Sequence, residues 1–398
     1  MSQPLSAGKH LAGLDHLRAF AITFVFLYHY RIFQHPEWID TIGAFGWTGV
    51  DLFFVLSGFL IASQLFEQID RHEHLSFRTF FIKRFFRIIP AYLAVLSLYF
   101  LLPVFREKEA LPPLWKLLTF TQNLGLNLKE RGTFSHAWSL CIEEQFYFLF
   151  PIILIMLVRW KALKLGPWLI ASLFLAGFAI RIWCWFELVS PAQDTNHYWV
   201  TWYMWMYYPT FTRLDGLLTG VTLAAVFVFL PNVKRQLIAR GNMMLLAGLL
   251  ILMACWWSFV DNPTTFTASV FGFPLIALGY GTIVAGAVSK NSFLDKYKLS
   301  FTATLAALSY AIYLSHKGVI HLTQMALTDI GIEADSTLSF FICTISCILS
   351  AFLLRMIVEK PFLQIRNKLL GKAYRSSSQQ SLSSSQTQPH TSQLHSDN

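Results

Sequence analysis

Residues Asp15–His29 read DHLRAFAITFVFLYH, an apolar helix with an arginine near its start and a histidine well inside it. Arg18 and His29 are eleven residues apart. At about 100° per residue this is roughly three full turns, so the two side chains share one face. At about 1.5 Å per residue they are roughly 16 Å apart along the axis, about half of a ~30 Å hydrocarbon core. Polar groups at such a depth are costly and mark functional paths.

The rest of the chain has the same character. Of its 398 residues, 55% are hydrophobic and only 13% charged, with a mean hydropathy of +0.49, whereas a soluble domain carries about 25% charged residues. This composition predicts an all-α, polytopic membrane bundle. Ten apolar segments reach spanning length, at about 16–33, 44–66, 88–105, 144–159, 167–187, 210–230, 243–260, 268–288, 303–323 and 338–357. The seam near 205–215 is ambiguous, because Tyr203 to Tyr208 is aromatic enough for an interfacial belt.

The net charge of +9 is explained by position and requires no nucleic-acid partner. If both termini are cytoplasmic, the loops on that side hold 22 of the 31 Lys and Arg, among them Arg71, Arg78, Lys83, Arg84, Arg87, Lys234, Arg235 and Arg240. The opposite loops 188–209, 261–267 and 324–337 hold none. The positive-inside rule therefore places both termini in the cytoplasm. Loop 106–143 is the exception, with five cations offset by several carboxylates, and a long loop translocates despite its charge. The expected organisation is a cytoplasmic N-terminus (1–14), a membrane domain (15–360), a basic juxtamembrane segment (361–374) and a disordered Ser/Gln-rich tail (375–398). Residues 1–14 have no small-residue cleavage site, so the first apolar run is a retained span. Glu359-Lys360-Pro361 is expected to end the last span. The five cysteines show no ligand spacing and are expected to be packing residues, with no metal site.

Several polar residues interrupt the spans. Asp51 lies in GVDLFFVLSGF with small neighbours Gly49, Ser57 and Gly58, which suits either close helix packing or a carboxylate at a helix N-terminus. In KRFFRIIP, Lys83, Arg84 and Arg87 share a helical face, as an amphipathic segment on anionic headgroups or a clamp for a polyanionic cofactor. Pro90 is expected where the next span opens. In WSLCIEEQFY, Ser139, Glu143 and Tyr147 recur at four-residue spacing, with Glu144 alongside. Arg213 and Asp215 in RLDGLLTG are expected to form an ion pair, and Tyr313 and His316 sit in LSYAIYLSH.

Together, Arg18-x10-His29, GVDLFFVLSGF, KRFFRIIP, WSLCIEEQFY, RLDGLLTG, LSYAIYLSH and VEKPF resemble the acyltransferase family 3 of polytopic membrane proteins, mostly bacterial. The pieces stand in the family's order over about residues 15–360. The resemblance implies an O-acyltransferase of the bacterial inner membrane, moving an acyl group, most often acetyl, from cytoplasmic acyl-CoA to a hydroxyl of a surface polysaccharide or lipopolysaccharide sugar. It implies that Arg18 and His29 are needed for activity, with Glu143 or Glu144 taking part, and that Arg84, Arg87 and Lys83 handle acyl-CoA. Asp51, Ser139, Tyr147, Arg213, Asp215, Tyr313 and His316 are supporting candidates. Some members add a C-terminal hydrolase-like domain, in place of which this sequence has a polar tail. The partners implied are the lipid bilayer and a glycan.

A neutral imidazole suits a base near pH 7, so His29 is the expected proton acceptor, either directly or through an acyl-histidine. Glu143 is expected to orient His29 or to bind the acceptor. The rival class is a proton-coupled transporter or flippase, with His29, Asp51, Glu143 and His316 as a relay. Against it stands the lack of repeated halves.

Overall fold

The computed structural model describes residues 11–371 except 74 and 291. The expectations for the first ten residues and for the tail beyond 371 lie outside the described residues. Ten helices of fifteen residues or more are found among the described residues, which contain no strand. They are α1 (Ala12–Tyr30), α2 (Gly49–Asp70), α3 (Phe77–Leu101), α4 (Trp138–Arg159), α5 (Gly166–Cys184), α6 (Asp215–Phe229), α7 (Gly241–Phe259), α8 (Phe273–Ala287), α9 (Ser300–Asp329) and α10 (Thr337–Leu354). Each expected span falls on one of them.

The side chains are arranged for lipid. Large apolar residues are turned outward, with Trp257 81%, Leu101 76% and Trp168 73% exposed, while Asp51, Arg181, Arg213 and His316 are at most 1% exposed. In water such a surface would aggregate, whereas in a bilayer it is the solvated face. Seven helices are long and apolar enough to cross a membrane, or eight if the pair Asp215–Phe229 and Pro231–Ala239, bent by 108°, is one span. The expected ten is not reached on that criterion, because α1 and α9 carry polar and charged side chains among their apolar ones. The protein is nevertheless multi-pass.

Three boundaries differ from the sequence reading, each for a backbone reason. Pro90 lies inside α3, which runs unbroken from Phe77, so the basic stretch and the span after it are one helix. Pro361 does not stop the last helix, which continues to Gly371. A π turn at Arg355–Glu359 immediately precedes it, and a wider turn makes room for a ring that clashes with a regular helix. The aromatic seam folds as a π turn at Tyr203–Tyr207 followed by a short 3-10 turn, so α6 begins only at Asp215.

The chain divides into two compact units. Of the described residues, the larger comprises those up to 75 and 95–352, and the smaller 76–94 and 353–371. In the smaller, Phe86 meets Phe362 at 6.4 Å, and Arg87 lies 3.8 Å from the buried carboxylate of Glu359. In the larger, α2 packs most closely on α6, α7 on α8 and α1 on α9.

The α2–α6 seam is a glycine contact between two of the sequence motifs. A Cβ on Gly58 would stand 2.2 Å from the Leu217 carbonyl oxygen, and one on Gly220 would stand 2.3 Å from that of Val55. No side chain fits there, and the approach of the two backbones brings Asp51 and the start of α6 together. We expect Gly58→Leu and Gly220→Leu each to destabilise the purified protein in detergent by about 1–3 kcal/mol or more. An unchanged thermal midpoint for both variants would show that the seam does not depend on close approach.

Candidate active site

His29 occupies the last turn of α1 and is 7% exposed. Its Nδ1 lies 2.8 Å from Nε2 of His316 on α9, and the two rings stack at 4.9 Å. His316 is anchored to its own helix, its Nδ1 lying 3.0 Å from the Ile312 carbonyl oxygen and 2.9 Å from that of Tyr313. A third ring, His136, comes from the short turn Ser135–Ala137 that leads into α4. It stands edge-on at 5.1 Å to His316 and 5.9 Å to His29. His136 Nε2 lies 3.3 Å from the Leu314 carbonyl oxygen, while its Nδ1 is buried and unpartnered among the described residues.

The same helices tie the cluster down. The Tyr313 hydroxyl donates to the His136 carbonyl, which leaves it to accept from Ser139 at 2.6 Å. Lys317, beside His316, is buried and directed to Ser135 Oγ at 3.4 Å and to the Glu107 carboxylate at 3.9 Å. Of this group the sequence reading named His29, Ser139, Tyr313 and His316 and passed over His136, Lys317 and Glu107. The available signals were a histidine three residues before Ser139 and a lysine inside an otherwise apolar helix.

Glu143 does not orient His29. It accepts a hydrogen bond from Ser57 at 2.7 Å, and Tyr147 donates to the same Ser57 at 3.0 Å. The face of α4 carrying Glu143 and Tyr147 meets α2, so the carboxylate is engaged by that helix. Glu144 is half-buried on the adjoining face. Arg18 is 3.3 Å from Asp15 and one-third exposed. Lys83, Arg84 and Arg87 all belong to the smaller unit. There Lys83 is exposed, and Arg84 lies over the Phe80 ring at 5.8 Å.

Arg213 and Asp215 are not an ion pair. Arg213 donates to Asp51 at 2.8 Å and Asp215 accepts from Arg181 at 2.7 Å, both pairs buried. Residues two apart at a helix start point to different faces, so each finds its partner on another helix. The Arg213 guanidinium is caged by Phe273 at 4.0 Å, Tyr207 at 4.7 Å, Trp138 at 5.4 Å and Trp47 at 6.0 Å. Arg181, which the sequence reading missed, also donates to the Thr212 carbonyl at 3.0 Å. These pairs hold α2, α5 and α6 in register, and among the described residues Asp51 Oδ2, Arg181 Nε and Nη2 and Arg213 Nη1 are buried without a hydrogen-bond partner. No group of three His, Cys, Asp or Glu among the described residues is placed to hold a metal ion.

Comparison with known proteins bears on this geometry. A family model described as an acyltransferase domain matches residues 11–356. The chain is similar to the peptidoglycan O-acetyltransferase OatA of Listeria monocytogenes, 29% identical over 344 residues, which cover 80% of this chain and 51% of that protein. It is also similar to the O-acetyltransferase OatA of Staphylococcus aureus, 29% identical over 331 residues, covering 78% and 51% respectively. The chain thus spans about half the length of the curated relatives it matches. No solved structure matches.

Breaking a buried pair costs more than removing it. Arg213→Met should lose about 3–5 kcal/mol by stranding the Asp51 carboxylate, and adding Asp51→Leu should recover part of that loss. Thermal unfolding of the two variants decides this, and strictly additive losses would contradict the pairing.

Proposed function

This chain belongs to the acyltransferase domain family, and on that premise we propose that it is a membrane O-acyltransferase with His29 as its base. The observation that carries this reading is the buried imidazole of His29, hydrogen-bonded to a second histidine. Its Nε2 is without a hydrogen bond among the described residues. The donor is acyl-CoA, most simply acetyl-CoA, and the acceptor is a hydroxyl of a bacterial cell-surface polysaccharide. The names of the relatives, one of them a peptidoglycan O-acetyltransferase, support acetyl transfer to a cell-wall glycan ahead of a lipopolysaccharide sugar. The protein sits in the bacterial inner membrane with both ends in the cytoplasm, a placement supported by the asymmetry of Lys and Arg between loops.

His29 takes the proton of the acceptor hydroxyl as that oxygen attacks the thioester carbonyl. A carbon–oxygen bond forms, the carbon–sulfur bond breaks, and the departing CoA thiolate receives the proton from His29. General-base assistance of this kind is worth on the order of 10²–10⁴-fold in rate. Lys83, Arg84 and Arg87 are reachable cations on one helix, a donor set suited to the phosphates of CoA. Arg87 also faces Glu359, and Lys83 is the exposed member of the set. Arg18, eleven residues before His29 on α1, is assigned to the donor side. Glu143, Ser57 and Tyr147 form a hydrogen-bonded set suited to holding a sugar hydroxyl.

A proton-coupled transporter would use the same His29–His316 contact as a relay. Purified protein with labelled acetyl-CoA and a glycan acceptor separates the two. We expect label transfer by wild type and a drop on the order of 10²-fold or more for His29→Ala in protein that still folds and inserts into the membrane. Substrate uptake into proteoliposomes without acetyl transfer would establish the transporter instead.

A further inference from the structure

Neutral imidazole has one N–H and one lone pair, and which nitrogen carries the proton is set by what the other must do. Neither His29 nor His316 is hydrogen-bonded to a carboxylate among the described residues. His316 Nδ1 faces two backbone carbonyl oxygens, of Ile312 and Tyr313, at 3.0 and 2.9 Å. Carbonyl oxygens only accept, so Nδ1 carries the hydrogen and Nε2 is the lone pair. The contact at 2.8 Å is then directed, with His29 Nδ1–H donating to His316 Nε2. His29 in turn has its lone pair on Nε2.

The third ring obeys the same rule. His136 Nε2 meets the Leu314 carbonyl oxygen and must donate to it. It therefore offers no competing hydrogen to His316, and its own lone pair falls on the buried, unpartnered Nδ1. The charged neighbour, Lys317, is directed to Ser135 and Glu107.

We infer that His316 is a positioning residue that fixes the tautomer of His29, so that Nε2 of His29 stands as a bare lone pair for the acceptor's proton. The backbone of α9 sets the proton on His316, His316 sets it on His29, and no carboxylate is needed. When His29 accepts a proton at Nε2, its Nδ1–H keeps the same partner, so nothing in the cluster reorganises. This rests on His29 as the base.

The test uses full-length protein in lipid with 15N-labelled histidine, His29 signals being assigned by their loss in His29→Gln. Wild type should show a protonated Nδ1 and a bare Nε2 on His29. In the transfer assay, His316→Asn should lower kcat on the order of 10²-fold with the KM for acetyl-CoA within about twofold, because Asn is too short to reach His29. His316→Gln, whose amide oxygen reaches the position of Nε2, should recover most of the loss. A protonated Nε2 on wild-type His29, or equal losses in both variants with an unchanged His29 tautomer, would overturn the inference. If His316→Asn does not fold, the wild-type spectrum decides alone. Absence of acetyl transfer by wild type would instead defeat the functional reading, while the spectrum still reports the tautomer.

Discussion

Lipid offers no hydrogen bonds, and this constraint governs the placement of every polar side chain in the bundle. A buried charge or imidazole must find its partner on another part of the chain or carry a cost of several kcal/mol. The consequence is a bundle whose outside is apolar and whose inside is laced by polar contacts between helices. Asp51–Arg213 joins α2 to the entry of α6, Arg181–Asp215 joins α5 to α6, and His29–His316 joins α1 to α9. Each contact orders two elements as well as satisfying two groups. The glycine seam between α2 and α6 belongs to the same design, since only backbones in close approach bring Asp51 within reach of Arg213.

The polar groups fall into two chemical kinds. The arginine–aspartate pairs are ionic: each charge faces an opposite one, and Arg213 is further walled by four aromatic rings. Such pairs tie helices to one another. The histidine cluster is open, because its hydrogen bonds use one nitrogen of each outer ring and leave lone pairs on His29 and His136. The two kinds differ in that the ion pairs match opposite charges, while the imidazoles carry unshared lone pairs.

The motifs that carry the family resemblance divide along the same line. GVDLFFVLSGF and RLDGLLTG meet each other through Gly58, Gly220 and the Asp51–Arg213 pair, so their small and charged residues serve assembly. The first-span histidine, the start of WSLCIEEQFY and LSYAIYLSH converge on the imidazoles. Glu143, prominent in sequence, accepts from Ser57 on α2 and not from His29, which it was expected to orient.

The sequence by itself determined the helical class, the places of the ten long helices and the list of polar residues that had to be turned inward. Span length, apolar periodicity and the cost of a charge in hydrocarbon are local quantities, readable from a window of about twenty residues. It also carried His29 and His316 as candidates. What only the tertiary structure decided is who meets whom. Arg213 pairs with Asp51 across 162 residues rather than with Asp215 two positions away, and His29 meets His316 across 287 residues rather than Glu143. His136 and Lys317 gained meaning only through their neighbours. Partners brought together by helix packing are set by shape and close backbone approach, and no local pattern encodes that. The helix running through Pro361 was hidden for a related reason, since the π turn that admits the ring is a feature of backbone hydrogen bonding and not of residue type.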